Sequence, residues 1–84
     1  MSDPLKQRVR AFILSNFMVA PEDAAFTDAD SLLGLGVIDS MGVMEISGFI
    51  KKEFGVAASV GEIRPENFDS IEAISGFVHR KRGS

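Results

Sequence analysis

The chain has 84 residues, of which 45% are apolar and 25% charged, and its formal net charge is −3 at pH 7. This length predicts one small domain over residues 1–84, and the composition is too apolar for a disordered chain. There is no Cys and one His, His79, which excludes disulfides, a catalytic thiol and any metal site of several Cys or His ligands. Since no apolar run approaches ~20 residues and no signal-peptide segment is recognised, we expect a cytoplasmic protein without a membrane span.

The charges are unevenly distributed along the chain. Residues 21–50 contain six carboxylates and no Lys or Arg, whereas the flanking segments carry a net positive charge. Such a segment repels nucleic acid and favours a partner with a basic patch, or it is simply a solvated acidic loop. The basic run from His79 to Arg82 is interpreted as a frayed tail and not as a nucleic-acid site.

The first predicted helix covers about residues 4–18 and is followed by a long connection over residues 19–39. Asp3 is placed to cap this helix, and Pro4 suits its first position. Its apolar residues recur at helical spacing: Leu5, Val9, Phe12, Ile13 and Phe17. The connection is also rich in apolar residues, so we expect it to fold back over the core, with a single helical turn at Ser31–Leu33. A loop of this length is usually functional.

The second predicted helix runs from about Ser40 to Phe54, with Asp39 or Ser40 as its cap and Gly55 at its end. One face carries the core stripe: Val43, Ile46, Phe49 or Ile50, and Phe54. A different face carries Met41, Met44 and Gly48.

The remaining chain predicts a short helix near Pro65 and a last helix that reaches about Arg80. Asp69 to Glu72 resembles a capping box, with an acid in place of Ser or Thr. The fold class is therefore all-α: a small four-helix bundle with a long first loop and a short third helix. The predicted core is Val9, Phe12, Ile13, Ile46, Ile50, Phe54, Ile74, Phe77 and Val78. Truncation of Phe54 to Ala is expected to cost about 3–5 kcal/mol.

No group of residues has the pattern of a catalytic or metal site. His79 lies near the end of the chain in a basic stretch, so a Ser-His-Asp arrangement is not predicted. The glycines Gly34 and Gly36 lack the Lys and the preceding strand of a phosphate loop, and Asp28 and Asp30 begin an EF-hand spacing that apolar residues interrupt. We therefore expect no enzyme and no metal.

Ser40 is the residue whose surroundings suggest chemistry. Its hydroxyl is placed at a helix start, next to the carboxylate of Asp39 and flanked by the apolar residues Ile38 and Met41. Ser40 is either an ordinary N-cap or, if Asp39 caps the helix, an exposed hydroxyl available for modification.

The sequence around Ser40 resembles the phosphopantetheine attachment site of acyl carrier proteins. Asp39-Ser40-Met41 follows the run from Leu33 to Ile38 and precedes Val43-Met44-Glu45-Ile46. Two later segments, Glu53-Phe54-Gly55 and Glu66-Asn67-Phe68-Asp69-Ser70-Ile71, also resemble landmarks of that family. The resemblance covers most of the chain and implies a four-helix bundle of acyl-carrier-protein type.

The resemblance implies that Ser40 carries a covalent 4′-phosphopantetheine arm. A separate, Mg-dependent phosphopantetheinyl transferase attaches the arm from coenzyme A, and Asp39 helps to orient that enzyme. Since the chain has no Cys, the thiol that holds a thioester must come from the arm. The protein is then a carrier of acyl or aminoacyl groups and not an enzyme.

The second helix departs from fatty-acid carriers, in which acidic charge continues along it. Here Glu45 is followed by Lys51 and Lys52. The chain therefore looks more like stand-alone carriers that adenylating ligases load with acyl or aminoacyl groups. Partner enzymes are expected at Asp39, Met41, Met44 and Glu45, and the carrier is expected to be a monomer. The alternative is a non-covalent helical interaction module that docks through Met41, Met44 and Gly48; a small hydrolase using Ser40 has almost no support.

Overall fold

The computed structural model describes residues 4–17, 19 and 25–83. These residues form four α-helices and no strand: α1 (Pro4–Asn16), α2 (Ser40–Phe54), α3 (Pro65–Phe68) and α4 (Ile71–Gly83). A short 3-10 turn, Val60–Glu62, precedes α3. The predicted all-α bundle, with its long first loop and short third helix, is confirmed. In the described part of the chain, no helix has the length and apolar character needed to cross a membrane.

The helices α1 and α2 lie side by side and run in opposite directions. Near one end, the guanidinium of Arg8 pairs with the carboxylate of Glu53. Near the other end, Asn16 Nδ2 donates to Glu45 Oε2 at 3.1 Å. Residue numbers rise along α1 as they fall along α2, so the start of α2 lies beside the end of α1.

The core contains seven of the nine predicted residues, whereas Phe12 and Phe54 are only partly buried. Phe12 stacks on Phe49 with ring centroids 4.0 Å apart, and Phe54 meets the same ring edge-on at 5.7 Å. Each helix packs against more than one neighbouring helix, so its apolar stripe is wide. Phe12 and Phe54 lie at the edge of that stripe, where side chains are only partly covered. The buried apolar side chains are Leu5, Val9, Ile13, Phe26, Leu32, Ile38, Val43, Ile46, Ile50, Val56, Phe68, Ile71, Ile74, Phe77 and Val78.

Two predicted helix ends differ from the structure. The helix α1 ends at Asn16, before the predicted position 18, and the predicted cap Asp3 lies outside the described residues. The helix α4 continues to Gly83, so the basic residues that follow Phe77 are helical and the interpretation as a frayed tail is wrong. Cations in a last turn interact favourably with the helix dipole, and Lys81 Nζ also pairs with Glu62 Oε2 at 2.7 Å.

The predicted caps are partly confirmed. Gly55 ends α2 in the left-handed conformation, with φ 70°, as its position predicted. The predicted capping role of Asp69 is wrong, because Ser70 Oγ accepts the hydrogen bond from the backbone N–H of Ala73 at 3.0 Å. Ser70 directly precedes Ile71, the first residue of α4, and this leaves the Asp69 carboxylate available for other contacts.

The described part of the first loop folds back over the core, as predicted. Its side chains Phe26, Leu32 and Ile38 are buried. Arg10 Nη2 donates to Asp28 Oδ1 at 2.9 Å, which neutralises part of the acidic segment. The loop is also joined to α4, since the backbone N–H of Glu72 donates to the carbonyl of Asp28 at 2.8 Å. Two further acids of the predicted acidic segment, Glu22 and Asp23, lie outside the described residues.

Candidate functional site

The start of α2 is capped by Asp39 and not by Ser40. The backbone of Asp39 is extended, with φ −112° and ψ −175°, and its Oδ1 accepts a hydrogen bond from the backbone N–H of Gly42 at 2.9 Å. Ser40 is the first helical residue and is exposed. Its hydroxyl makes no hydrogen bond within the part of the chain that the structure describes. Of the two interpretations left open by the sequence, the structure supports the one in which the Ser40 hydroxyl is available.

The loop reaches α2 through one capped helical turn, residues 31–36. Ser31 Oγ accepts from the backbone N–H of Gly34 at 3.0 Å and so caps the start of the turn. At its end, Gly36 has φ 76°, and its N–H donates to the carbonyl of Leu33 at 3.1 Å. The N–H of Val37 then donates to the carbonyl of Leu32 at 2.9 Å, which completes a Schellman motif. The predicted turn at Ser31–Leu33 is confirmed and extends to Gly36.

Asp69 fastens this turn to the connection between α3 and α4. Its carboxylate accepts hydrogen bonds from the Ser31 hydroxyl at 2.6 Å and from the backbone N–H of Leu33 at 2.8 Å. Its carbonyl accepts from the N–H of Leu32 at 2.6 Å. The only structural role that the sequence had indicated for Asp69 was as a cap of α4, because contacts between residues so far apart in the chain leave no periodic signal.

Gly42 allows α1 to approach the first turn of α2 closely. It is buried, and a Cβ at this position would lie 3.0 Å from Phe17 Cε1 and 3.0 Å from Ile38 Cβ. The Phe17 ring therefore occupies the space that a side chain on Gly42 would need. This contact fixes the first turn of α2 against the end of α1.

An exposed stripe begins beside Ser40 and continues along α2. Met41 and Met44 expose 70% and 56% of their surface, and Glu45 and Gly48 are also exposed. These positions are spaced three and four residues apart, so they share one face of the helix. The Glu45 carboxylate accepts the hydrogen bond from Asn16 and so is held at the edge of this face.

Of the residues predicted to bind partners, Met41, Met44 and Glu45 therefore lie together on one surface. The fourth, Asp39, is exposed, but one of its carboxylate oxygens is committed to the cap. Sequence reasoning missed Leu35, whose side chain is 57% exposed in the turn that precedes α2. Its position in an apolar run gave no signal that distinguishes it from the buried Leu32.

No arrangement typical of an active site surrounds Ser40 in the described residues. His79 is exposed on α4, which is a separate helix. No group of three or more His, Cys, Asp or Glu side chains in the described part of the chain is placed to hold a metal ion. Two open depressions between the first loop and α4 are lined by neither Ser40 nor His79.

The surroundings of Ser40 fit a long covalent arm. A phosphodiester bond to Ser40 requires that its hydroxyl is accessible and that the helix stays capped when the hydroxyl is modified. The second condition is met because Asp39 is the cap. An arm attached there would leave from an exposed position, so no neighbouring side chain would have to move. The phosphate would lie at the start of α2, where backbone N–H groups and the helix dipole favour negative charge.

Comparison with known proteins identifies the family of the chain. The sequence profile of a protein family described as the phosphopantetheine attachment site matches residues 7–78. No curated protein gives a significant match to the chain. The matched region covers all of the helices except the first residues of α1 and the last residues of α4. The chain therefore belongs to the phosphopantetheine-attachment-site family, that of the acyl carrier proteins, whose members carry covalently attached 4′-phosphopantetheine.

Proposed function

We propose that Ser40 is the residue that carries the 4′-phosphopantetheine arm. The observation that carries this proposal is the division of roles at the start of α2: Asp39 supplies the cap, and the exposed Ser40 hydroxyl has no structural task. Modification of Ser40 would break no hydrogen bond that the structure shows.

The attachment reaction needs a transferase, because the described residues near Ser40 form no arrangement typical of an active site. Ser40 Oγ attacks the phosphorus of coenzyme A that bears the pantetheine group. One Oγ–P bond forms, and the P–O bond of the pyrophosphate bridge breaks. Adenosine 3′,5′-bisphosphate leaves, and the hydroxyl proton passes to a base of the transferase. The carrier contributes a positioned hydroxyl and a surface on which the transferase can dock.

The proposed cargo is an acyl or aminoacyl group, held as a thioester by the thiol of the arm. The chain has no Cys, so its own residues offer no competing thiol. We assign loading to an adenylating ligase, since the acidic start of α2 is followed by the exposed basic residues Lys51 and Lys52. The protein is a single-domain, monomeric, cytoplasmic carrier in this proposal, and the chemistry is performed by its partners.

Partner enzymes are proposed to dock on the exposed stripe of α2. Met41 and Met44 supply flexible apolar contact, which suits a surface that several enzymes bind in turn. Asp39 and Glu45 add negative charge at the end of the stripe that carries the arm. The same exposed methionines also favour the second candidate function, a non-covalent interaction module.

Mass spectrometry after incubation with coenzyme A and a broad-specificity phosphopantetheinyl transferase separates the two functions. The wild-type chain should gain one phosphopantetheinyl group, and Ser40→Ala should gain none while keeping its helical circular dichroism spectrum. Ser47→Ala, on the same helix, is the matched control and should still be modified. Uptake by Ser40→Ala would show that the site is wrong, and no uptake by the wild type would favour the non-covalent module.

A further inference from the structure

A series of hydrogen bonds runs from Asp69 to Ile38, which lies two residues before Ser40, although Asp69 and Ser40 are far apart in the chain. The Asp69 carboxylate accepts hydrogen bonds from the Ser31 hydroxyl and from the N–H of Leu33, and the Asp69 carbonyl accepts one from the N–H of Leu32. All three contacts are 2.6–2.8 Å long. The two bonds to the carboxylate belong to the stronger class of protein hydrogen bond, because their acceptor is a charged group.

The series continues from Leu32 to the start of α2. The carbonyl of Leu32 accepts from the N–H of Val37 at 2.9 Å and from that of Ile38 at 3.3 Å. Ile38 is buried and directly precedes Asp39, the cap of α2. The turn is therefore held by Asp69 at its first residues and joined to the cap through its last residues.

We propose that Asp69 is a positioning residue, which fixes the turn at residues 31–36 and through it places the Ser40 hydroxyl for phosphopantetheine transfer. This inference rests on Ser40 being the attachment site. The bond that forms is Ser40 Oγ–P and the bond that breaks is the P–O bond on the adenosine side, as described above. Attack on phosphorus requires the oxygen to approach along a narrow path, and a misplacement of about 1 Å can cost about 100-fold in rate.

The hydrogen bonds of Asp69 are separable from the stability of the bundle. Leu32, within the turn, and Ile38, just after it, are both buried, so apolar packing keeps the loop on the core when the carboxylate is removed. The loss expected from removing Asp69 is therefore in the orientation of residues 31–40 and not in the fold. Docking should persist as well, because Met41 and Met44 belong to α2 itself.

The test compares Asp69→Ala with Ser70→Ala, its neighbour. Ser70→Ala removes the cap of α4 and so destabilises the bundle without touching the turn. Transfer of phosphopantetheine from coenzyme A by a broad-specificity transferase is followed by mass spectrometry at several carrier concentrations. We expect Asp69→Ala to lose about tenfold or more in kcat with KM within about twofold, and Ser70→Ala to keep the wild-type kcat.

Two further measurements extend the test to the conformation of the turn. In Asp69→Ala the amides of Val37 and Ile38 should exchange with solvent faster than in Ser70→Ala, because the turn that holds them is released. Asp69→Asn should recover part of the kcat, since an amide oxygen still accepts from Leu33 and its NH2 can donate to Ser31 Oγ. Should Asp69→Ala fail to fold, Ser31→Ala removes one of the carboxylate's bonds together with the hydrogen bond from Gly34 that caps the turn, and it should lower kcat severalfold.

A kcat of Asp69→Ala equal to that of Ser70→Ala would overturn the proposal, as would unchanged kcat in Ser31→Ala if Asp69→Ala does not fold. A wild-type chain that takes up no arm would overturn the assignment of Ser40 instead. The two failures are therefore distinguishable in one set of reactions.

Discussion

At the scale of single residues, adjacent polar side chains divide structural and chemical roles. Asp39 caps α2 and leaves Ser40 exposed, and Ser70 caps α4 and leaves Asp69 for the first loop. For α2 the sequence left Asp39 and Ser40 open as caps, and for α4 it indicated Asp69, although the structure shows Ser70. The choice depends on where the extended backbone ends and the helix begins, and a shift of one residue exchanges the roles.

The half-buried position of Phe54 changes the expected cost of its truncation. Phe54 packs edge-on against Phe49 and lies beneath Arg8, whose guanidinium is 5.5 Å from the ring centroid. We now expect Phe54→Ala to cost about 2 kcal/mol, below the 3–5 kcal/mol typical of a fully buried ring. Phe68→Ala, at a position with no exposed surface, should cost about 3–5 kcal/mol. Urea unfolding of both variants checks this, and equal losses would contradict the burial that the structure shows.

At the scale of elements, the helices were predictable and the contacts between them were not. The period of the apolar residues located α2 to the residue, and Gly55 marked its end. Helix-forming patterns are local, so one chain segment is sufficient to recognise them. The hydrogen bonds of Asp69 and the approach of Phe17 to Gly42 join distant segments and depend on how the helices pack.

Two glycines of α2 allow a matched test of that packing. Gly42→Ala would place a Cβ 3.0 Å from Phe17 and from the buried Ile38, whereas a Cβ at Gly48 meets nothing within 4 Å. Gly48→Ala should stabilise the protein by about 0.5–1 kcal/mol, the usual helix-propensity gain. Gly42→Ala should instead destabilise it by about 1 kcal/mol, since overpacking outweighs that gain. Thermal unfolding of the two variants is the measurement, and equal stabilisation would mean that Phe17 does not fix the start of α2.

Glu62 stabilises the 3-10 turn before α3 through its contacts with Ser59 and Lys81, so we predict that the stability of the protein depends on pH. A hydrogen bond from Lys81 and further bonds from Ser59 lower the pKa of Glu62 from 4.5 to about 2. Because the folded-state pKa is the lower one, this contribution to stability is complete above about pH 4.5 and is lost as the pH falls toward 2. Glu62→Gln should therefore lower the melting temperature at pH 7 and have progressively less effect between pH 4.5 and 2.

The control for this prediction is Glu66→Gln in α3. Glu66 forms a 3.8 Å pair with Arg64, and its side chain is 71% exposed. Its substitution should change the melting temperature little at any pH, as is usual for an exposed pair. If the effect of Glu62→Gln were the same at pH 7 and pH 2.5, the ion pair with Lys81 would not stabilise the turn.

At the scale of the whole molecule, the charge changes sign along α2. The start of α2 carries Asp39 and Glu45, and its last turn carries Lys51 and Lys52. About 18 Å separate Ser40 from Lys52 along the helix. The sequence indicated an acidic segment over residues 21–50, but Arg10 neutralises part of it by pairing with Asp28. The negative potential is therefore expected to be greatest around the first turns of α2, beside the proposed attachment site.

This charge distribution predicts how salt affects phosphopantetheine transfer. Glu45→Lys reverses a charge beside the docking stripe, so it should slow association with the transferase most at low ionic strength. The difference should shrink as the Debye length falls from ~30 Å at 0.01 M to ~8 Å at 0.15 M salt. Met44→Ala should weaken binding with little dependence on salt, because it removes apolar contact that forms after the encounter. The measurement is kcat/KM for transfer at a series of salt concentrations.

A charge control separates a local effect from a change in net charge. Glu72→Lys makes the same substitution at an exposed position of α4, on a different element from the stripe. If docking occurs on α2, Glu45→Lys should lower kcat/KM at low salt much more than Glu72→Lys does. Equal losses in the two variants would mean that only net charge matters. Wild-type rates for Glu45→Lys at every salt concentration would place the docking surface elsewhere, because a charge held at the edge of an interface has to influence the encounter.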